Sequence, residues 1–216
     1  MTRILLIDGE NFKGKLRYIL SQPDQSKPLW HEYDFKGLFD QALGDLSIDQ
    51  KIFYFAKIKE HEATKDLSRR LIHEQRLLKT HLEKQGFQVI LSGRVRGHEE
   101  VQKNGSVVLI FKEKGVDVKI AVDMVTLACD KKVDEIILAS SDSDLQPAIH
   151  EVRNRHVSCV YVGFEDQPNK GMTFTTNRTI LIRNSEVRTF QNQGLFPASS
   201  GNAGPELTTD KPQRPD

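Results

Sequence analysis

Short apolar runs alternate with segments of helical periodicity along most of this chain, and that alternation constrains the fold more than any other feature. Runs rich in Ile, Val, Leu, Phe and Tyr have the length of strands at 3–7, 51–56, 87–91, 135–139 and 157–162, with a shorter one at 179–182. Helical patterns separate most of them, so right-handed βαβ crossovers are expected. The pattern predicts an α/β domain with a central, mainly parallel sheet.

Helix boundaries can be predicted from local signals in two places. Asp34 is a candidate N-cap for a helix that continues through Leu43. The segment 63–85 carries leucines at helical spacing, and Gly86 is a candidate stop.

One segment departs from the alternation. Residues 94–101 and 107–111 have strand character and are separated by Asn104-Gly105, a dipeptide typical of tight hairpin turns. A β-hairpin insertion is therefore expected here. Its edge offers unpaired backbone groups to a second subunit, so a homodimer is an open possibility.

Composition limits the kind of protein this chain can be. With 216 residues and 38% hydrophobic content, it can bury a sizeable core as one domain, expected at 1–190. The segment 191–216 is rich in Pro, Ser, Gly and Thr, lacks apolar periodicity and is predicted to be a disordered tail. Since Lys and Arg number 31 against 30 Asp and Glu, net charge alone does not indicate nucleic-acid binding.

Localisation and redox state follow from absences in the sequence. No uncharged apolar run of about 18 residues occurs, and the chain opens without a signal-peptide pattern, so we expect a cytoplasmic protein that does not enter a membrane. Cys129 and Cys159 both lie in apolar segments and are expected to be reduced core thiols.

Acidic residues follow the apolar runs at the points where buried strands would surface. Asp8 closes the first run, and Asp142 and Asp144 follow the run at 135–139. Asp117 falls in the first turn of a helix expected after Gly115. Ligands of parallel sheets bind outside the carboxyl ends of the strands, so these acids can converge on a hard metal ion such as Mg²⁺. Taken singly, each acid is equally explained as a turn former or helix cap.

Three segments in order, LLIDGEN, EKGVDVKIAVDM and ILASSDSDL, resemble the NYN domain, in the LabA-like branch of the PIN-like nucleases. The resemblance covers about residues 3–190. It implies a three-layer α/β/α, PIN-like (Rossmann-like) fold and an acidic pocket that binds Mg²⁺ or Mn²⁺ and cleaves RNA. The positions that match the catalytic pattern of the family are Asp8, Asn11, Asp117, Asp142 and Asp144.

The charges of these residues suggest how they would hold the metal. Asp8 and Asp142 are the predicted direct ligands, Asp144 and Asp117 reach the ion directly or through water, and Asn11 orients Asp8 or contacts phosphate. Asp123 matches a recurrent position as well, but its helical phase points it away from Asp117, and it ranks lower. The segment 175–178 lacks the acid expected before the last strand.

Basic residues near the predicted pocket are candidates for nucleic-acid binding. Arg94 and Arg96 precede the expected hairpin turn, and Lys112 and Lys114 lie just before Asp117. Contacts of this kind position a phosphate backbone without reading its sequence. Ser141, in the acid-bearing segment, is a further candidate for the same role.

The sequence supports a metal-dependent ribonuclease, with an endoribonuclease as the expected type, and it leaves two alternatives. One is a catalytically silent RNA-binding or protein-interaction module on the same fold. The other is an aspartyl-phosphate phosphatase, although such enzymes need a second Asp two residues after the first, and here that position is Glu10, followed by Asn11. Whether the substrate is single-stranded RNA, structured RNA or DNA stays open, as do the number of metals and the choice between endo- and exonuclease.

Overall fold

A computed structural model describes residues 1–21, 28–44, 46–60, 64–101 and 107–191, with side chains described throughout these ranges except within 96–113. In chain order the elements are β1 (Arg3–Asp8), α1 (Gly9–Leu20), α2 (Phe35–Leu43), β2 (Gln50–Phe55), α3 (Lys65–Lys84), β3 (Gln88–Leu91), β4 (Arg94–Val101), β5 (Val107–Lys114), α4 (Val116–Cys129), β6 (Glu135–Ala139), α5 (Gln146–Asn154), β7 (Ser158–Phe164), α6 (Lys170–Thr175), β8 (Arg178–Ile182) and α7 (Asn184–Thr189). A short 3-10 turn, Ser143–Leu145, leads into α5.

Six strands form one parallel sheet in the order β3-β2-β1-β6-β7-β8. Each neighbouring pair is parallel, including the central pair, in which Ile7 lies opposite Ala139. The chain therefore builds one half of the sheet outward from β1 and the other half outward from β6. The predicted parallel sheet is confirmed.

Helices cover both faces of the sheet and give two separate apolar cores. On one face, α1, α2, α3 and α7 pack on alternate strand residues such as Leu5 and Phe53. On the other face, α4, α5 and α6 pack on the intervening residues, such as Leu6 and Tyr54. Because side chains alternate along a strand, a sheet buried on both faces needs continuous apolar strands. This confirms the expected three-layer α/β/α fold.

The β4–β5 hairpin forms a separate antiparallel ribbon, as predicted. Its register places Arg94 opposite Lys114, while the turn at 102–106 lies outside the described residues. The Val95 N–H donates to the Lys57 carbonyl at 3.2 Å, which fixes the ribbon base to the end of β2. At Gly93, φ is +69° and an added Cβ would lie 2.2 Å from the Lys114 carbonyl oxygen, so glycine is required where the two strands pinch together.

The predicted helix boundaries hold where the sequence signals were local. The Asp34 carboxylate accepts the Gly37 N–H at 2.8 Å and caps α2. Gly86 follows α3 with a φ of +86°, which favours glycine.

The expectation that Cys129 is a core thiol was wrong. Cys129 is exposed, where its sulfur accepts the Arg155 Nε–H at 3.0 Å, and only Cys159 is a core thiol. Burial raises the pKa of the Cys159 thiol to about 12. Two apolar residues of α4, Val118 and Val122, are 61% and 53% exposed as well. The helix buries a narrow stripe because only one of its sides faces the sheet.

No helix in the described ranges is long and apolar enough to cross a membrane. The predicted tail at 191–216 lies outside the described residues, apart from Gln191, and it remains a prediction together with the domain boundary at 190.

Candidate metal centre

The order of the strands reverses between β1 and β6, and the candidate site lies at the carboxyl ends of these two strands. One crossover from β1 leads toward β2, whereas the chain that leaves β6 leads toward β7 on the other side. Loops diverge at such a switch point and leave a crevice, which is where open α/β sheets bind ligands. Asp8 ends β1, and the segment from Ser140 to Asp144 follows β6.

Three carboxylates converge beside this crevice. Asp117, Asp142 and Asp144 each offer an oxygen, and these oxygens lie within 4.8 Å of one another. Asp117 and Asp142 are half-buried, and Asp144 is exposed. We call these three residues the acidic cluster. Its members come from α4 and from the loop after β6, segments that are separate in sequence.

Gly115 brings Asp117 to the cluster. The ribbon ends at Lys114, and the chain turns into α4 through Gly115, which adopts a left-handed conformation with φ of +88°. Only glycine takes this conformation at little cost. Asp117 then occupies the first turn of α4, where the free backbone N–H groups and the helix dipole stabilise a negative charge.

Local hydrogen bonds shape the loop that carries the other two acids. Asp142 caps the 3-10 turn, and its Oδ1 accepts the Asp144 N–H at 3.1 Å. The Asp142 N–H donates to the Ser140 hydroxyl oxygen at 3.2 Å. Capping therefore involves one oxygen of Asp142. The hydrogen bonds among these small polar residues keep the loop compact, so that Asp142 and Asp144 lie on the same side of the crevice.

Asp8 lies at the same edge of the sheet but outside the acidic cluster. Its side chain is 7% exposed, and it accepts the Asn11 N–H at 3.2 Å and the Ser140 hydroxyl at 3.3 Å. Burial raises the pKa of the Asp8 carboxyl to about 6, and the charge of Asp142 adds to this rise, while the two hydrogen bonds oppose it. Ser140 thus joins Asp8 to the loop of Asp142.

The side chain of Asn11 contacts the acid-bearing loop, whereas its backbone N–H contacts Asp8. Its Oδ1 accepts the Ser141 N–H at 3.0 Å, so α1 is tied to the loop after β6. The Ser141 hydroxyl, predicted to contact nucleic acid, lies 3.3 Å from the hydroxyl of the buried Tyr161. The structure therefore gives Ser141 partners inside the protein, and its predicted contact with nucleic acid stays a prediction.

Two neighbouring acids have partners of their own. Asp123 accepts hydrogen bonds from the Tyr54 hydroxyl at 2.9 Å and from Lys119 at 2.5 Å, and it lies outside the acidic cluster. Glu10 is largely buried, with its side chain 18% exposed, and it pairs with Lys13 at 2.5 Å. Each of these two carboxylates faces a donor that balances part of its negative charge, although the charge of Glu10 still contributes to the raised pKa of Asp8.

The basic residues predicted to bind nucleic acid are partly described. Arg94 and Lys114 are exposed and lie opposite each other at the base of the ribbon. Arg96 and Lys112 are the next cross-strand pair in the same register, but their side chains lie outside the described residues. Lys114 is one residue from Gly115, so the ribbon base is adjacent to the start of α4 and hence to Asp117.

Sequence reasoning missed Asn169, which begins α6 as its N-cap. The Asn169 Nδ2–H donates to the Ser141 carbonyl at 2.8 Å, and its backbone N–H donates to the Tyr161 hydroxyl at 3.3 Å. Asn before a helix is a recognisable capping signal, but no spacing rule indicates that the same side chain contacts a loop 28 residues away.

The donor set fits a hard divalent cation. Carboxylate oxygens are the ligands that Mg²⁺ and Mn²⁺ prefer, and such ions retain waters when only part of their coordination comes from protein. Three carboxylates this close repel one another unless a cation or protons neutralise them. Exposure of Asp144 leaves the cluster open to solvent on one side, so a ligand can reach it.

Fold and acidic cluster together define a Rossmann-like α/β protein with carboxylates at its switch point. The sequence matches the NYN domain over residues 3–181, and the chain belongs to this family, which is part of the PIN-like nuclease superfamily. A crystal structure of a protein of unknown function from Vibrio parahaemolyticus has the same fold, with a TM-score of 0.52 and 18% identity, over 84% of this chain and 92% of that one. No curated protein gives a significant match.

Proposed function

We propose that this protein is a metal-dependent ribonuclease that hydrolyses phosphodiester bonds at the acidic cluster. The observation that carries the proposal is the approach of three carboxylate oxygens, within 4.8 Å of one another, at the switch point of a nuclease-superfamily fold. Mg²⁺ or Mn²⁺ bound there would act as a Lewis acid on the phosphate and lower the pKa of water for attack.

The proposed roles differ among the acids. Asp117, Asp142 and Asp144 hold the cation, because within the described ranges these three carboxylates offer oxygens close enough to share one ion. Asp8 accepts the Ser140 hydroxyl and thereby stabilises the loop that carries Asp142. Its role as a direct metal ligand stays a prediction. Asn11 holds the Ser141 N–H and thereby the loop of Asp142.

The ribbon base is the proposed contact with the substrate backbone. Arg94 and Lys114 are exposed cations placed directly opposite each other, an arrangement that is unfavourable in a sheet unless an anion lies between them. No carboxylate in the described part of the chain forms a salt bridge with either residue. A phosphate of RNA bound to the cluster fits between these two cations. Arg96 and Lys112, the next cross-strand pair in the same register, are proposed to contact the RNA backbone as well.

The phosphatase alternative is disfavoured by the environment of Asp8. A nucleophilic carboxylate must be open to its phosphate, whereas Asp8 is 7% exposed and accepts hydrogen bonds from the Asn11 N–H and the Ser140 hydroxyl. The residue two positions later, Glu10, is occupied by Lys13 and is not free to act as an acid.

Cleavage of single-stranded RNA with Mn²⁺, Mg²⁺ or EDTA tests the proposal. We expect cleavage with a divalent ion, none with EDTA, and loss of cleavage in Asp142→Asn at unchanged thermal stability. RNA binding without cleavage by the wild type would identify the silent module, and hydrolysis of a small phosphomonoester would identify the phosphatase. A single-stranded DNA of the same sequence, assayed in parallel, tests the choice of RNA.

A further inference from the structure

Ser141 is held on both sides of its peptide backbone by two asparagines from different layers of the fold. Its N–H donates to the Asn11 side chain at 3.0 Å, and its carbonyl accepts the Asn169 Nδ2–H at 2.8 Å. Asn11 lies on α1, which covers one face of the sheet, and Asn169 caps α6 on the opposite face.

The clamp acts on the residue directly before a cluster acid. The Ser141 carbonyl and the Asp142 N–H belong to one planar peptide unit, so fixing the carbonyl fixes the direction in which the chain enters Asp142. The other end of this peptide is held by the Ser140 hydroxyl, which accepts the Asp142 N–H at 3.2 Å. The backbone entering Asp142 is therefore constrained at donor and acceptor alike.

A third contact supports the clamp from the core. The hydroxyl of Tyr161, a fully buried side chain, lies 3.3 Å from the Ser141 hydroxyl and accepts the Asn169 N–H at 3.3 Å. Gly163 leaves the space for this hydroxyl, because a Cβ there would lie 2.5 Å from it.

The position of α6 does not require the contact with Ser141. Arg153 of α5 donates to the Thr175 carbonyl at 2.6 Å, and the Thr175 hydroxyl donates to Gln146 at 3.3 Å. Asn169 also caps α6 through a different atom, since its Oδ1 accepts the Met172 N–H at 3.1 Å. The Nδ2–H group is thus available for a function beyond holding the helix.

We propose that Asn169 is a positioning residue of the metal centre, which sets the geometry of Asp142 through the Ser141 carbonyl. This inference rests on the proposed function, because it assigns Asn169 an effect on cation binding at the acidic cluster. Groups that orient metal ligands from outside the coordination shell typically change metal affinity by about 10-fold to 100-fold when they are removed.

Two substitutions separate the clamp from the helix cap. Asn169→Ser and Asn169→Asp both retain an oxygen that can cap α6, but both lose the Nδ2–H donor to Ser141. Asn169→Asp also adds a negative charge near the cluster, which by attraction alone would strengthen binding of a divalent cation. The two effects have opposite signs, so the direction of the change identifies the mechanism.

Asn177→Asp is the matched control. It makes the same chemical change shortly after α6, where the Asn177 Oδ1 accepts the Cys159 N–H at 2.9 Å, a bond that aspartate retains. Tyr161→Phe is a second test if Asn169 variants fold poorly, because it removes the hydroxyl beneath the clamp and keeps the ring in the core.

Mn²⁺ titration monitored by electron paramagnetic resonance, with thermal unfolding in EDTA as the folding check, tests the proposal. We expect both Asn169 variants to bind Mn²⁺ about tenfold more weakly than the wild type, with Asn177→Asp unchanged and Tyr161→Phe weakened to a smaller degree. In cleavage, kcat at limiting Mn²⁺ should fall without a change in the KM for RNA, and excess Mn²⁺ should restore it in Asn169→Ser.

The outcomes that overturn the proposal are distinct from those that overturn the proposed function. Wild-type affinity in Asn169→Ser, or tighter Mn²⁺ binding in Asn169→Asp, shows that the Ser141 contact does not position the cluster. Loss of affinity in Asn177→Asp as large as in Asn169→Asp shows that the effect is nonspecific. If the wild type binds no Mn²⁺, the metal centre itself is absent and the proposed function fails.

Discussion

The acids after β1 and after β6 look equivalent in the sequence, yet the fold gives them opposite environments. Asp8 is buried, is hydrogen-bonded to Asn11 and Ser140, and has a carboxyl pKa raised to about 6 by burial. Asp142 is half-buried and shares a cluster with Asp117 and Asp144, whose oxygens lie within 4.8 Å of one another. The same residue type at the end of a strand can therefore support a site from inside or bind a ligand at its surface.

Local chain geometry explains the difference. After β1 the chain enters α1 at once, and the short path from Asp8 to the helix turns its carboxylate toward the Asn11 N–H. After β6 a loop of small polar residues precedes the 3-10 turn, and it carries Asp142 and Asp144 out to the rim. The crevice therefore has two parts. We call the buried part, formed by Asp8 and the start of α1, the floor, and the accessible part, formed by Asp142 and Asp144, the rim.

Substitution in the rim should have the largest effect. In Asp142→Asn, the rate of metal-dependent RNA cleavage should fall by more than about 100-fold, since metal stabilisation of the transition state is worth several kcal/mol. Asp123→Asn is the control, because Asp123 lies on α4 but outside the cluster and hydrogen-bonds Tyr54. An equal loss in both variants would show that the rim has no special role.

Substitution in the floor should stabilise the protein in a pH-dependent way. The folded-state pKa of Asp8, about 6 against an ordinary value of 3.8, means that the fold favours the protonated acid. Stability from this group is complete below its unfolded pKa and is lost as the pH rises through 6, at a cost of about 3 kcal/mol. Asn cannot ionise, so in EDTA the free energy of unfolding of Asp8→Asn should exceed that of the wild type by about 2 kcal/mol more at pH 7.5 than at pH 4.5.

Urea unfolding at the two pH values measures this difference. A variant whose stability relative to the wild type is the same at both pH values would show that Asp8 is ionised in the fold without penalty, as a rim acid would be. That result would remove the contrast between floor and rim.

Glycine substitutions in α1 should show how rigid the floor is. A Cβ at Gly9 would lie 2.0 Å from the Phe55 ring, whereas a Cβ at Gly14 in the same helix meets nothing within 4 Å. Gly9→Ala should destabilise the protein by about 1–3 kcal/mol through overpacking, and Gly14→Ala should stabilise it by about 0.5–1 kcal/mol. Thermal unfolding of both variants measures the contrast, and equal effects would mean that Phe55 moves aside freely.

A further expected effect concerns how Asp8 influences the affinity of the acidic cluster for metal. Asp8→Asn should weaken Mn²⁺ binding by about tenfold, as a group that supports ligands from outside does. Calorimetric titration beside Asp142→Asn measures it. A loss as large as that of Asp142→Asn would make Asp8 a direct ligand, which is the role that the sequence predicts.

The fold could be predicted because its signals are local and periodic. Apolar runs, the Asp34 cap and the stop at Gly86 each depend on residues that are neighbours in sequence. The rule that parallel strands end at one edge predicts that the acids after β1 and β6 lie close together. The position of Asp117 beside Asp142 and Asp144 was implied by the family resemblance, because Asp117 begins a helix and does not end a strand.

What the sequence did not reveal depends on tertiary contacts. The burial of Asp8 follows from the packing of α1, and the contact of Asn169 with Ser141 joins segments 28 residues apart. Gly9 begins α1, and a side chain there is excluded by the Phe55 ring, a residue far from it in sequence. Cys129 was assigned to the core because its neighbours are apolar, although it ends α4 on the exposed side.

Anomalous diffraction from crystals grown with Mn²⁺ tests the central claim most directly, because it locates the ion without an assay of activity. The account predicts a Mn²⁺ peak at bonding distance from carboxylate oxygens of Asp117, Asp142 and Asp144, and its loss in Asp142→Asn. A protein that binds no Mn²⁺ at these residues, or binds it elsewhere while still cleaving RNA, would contradict the account.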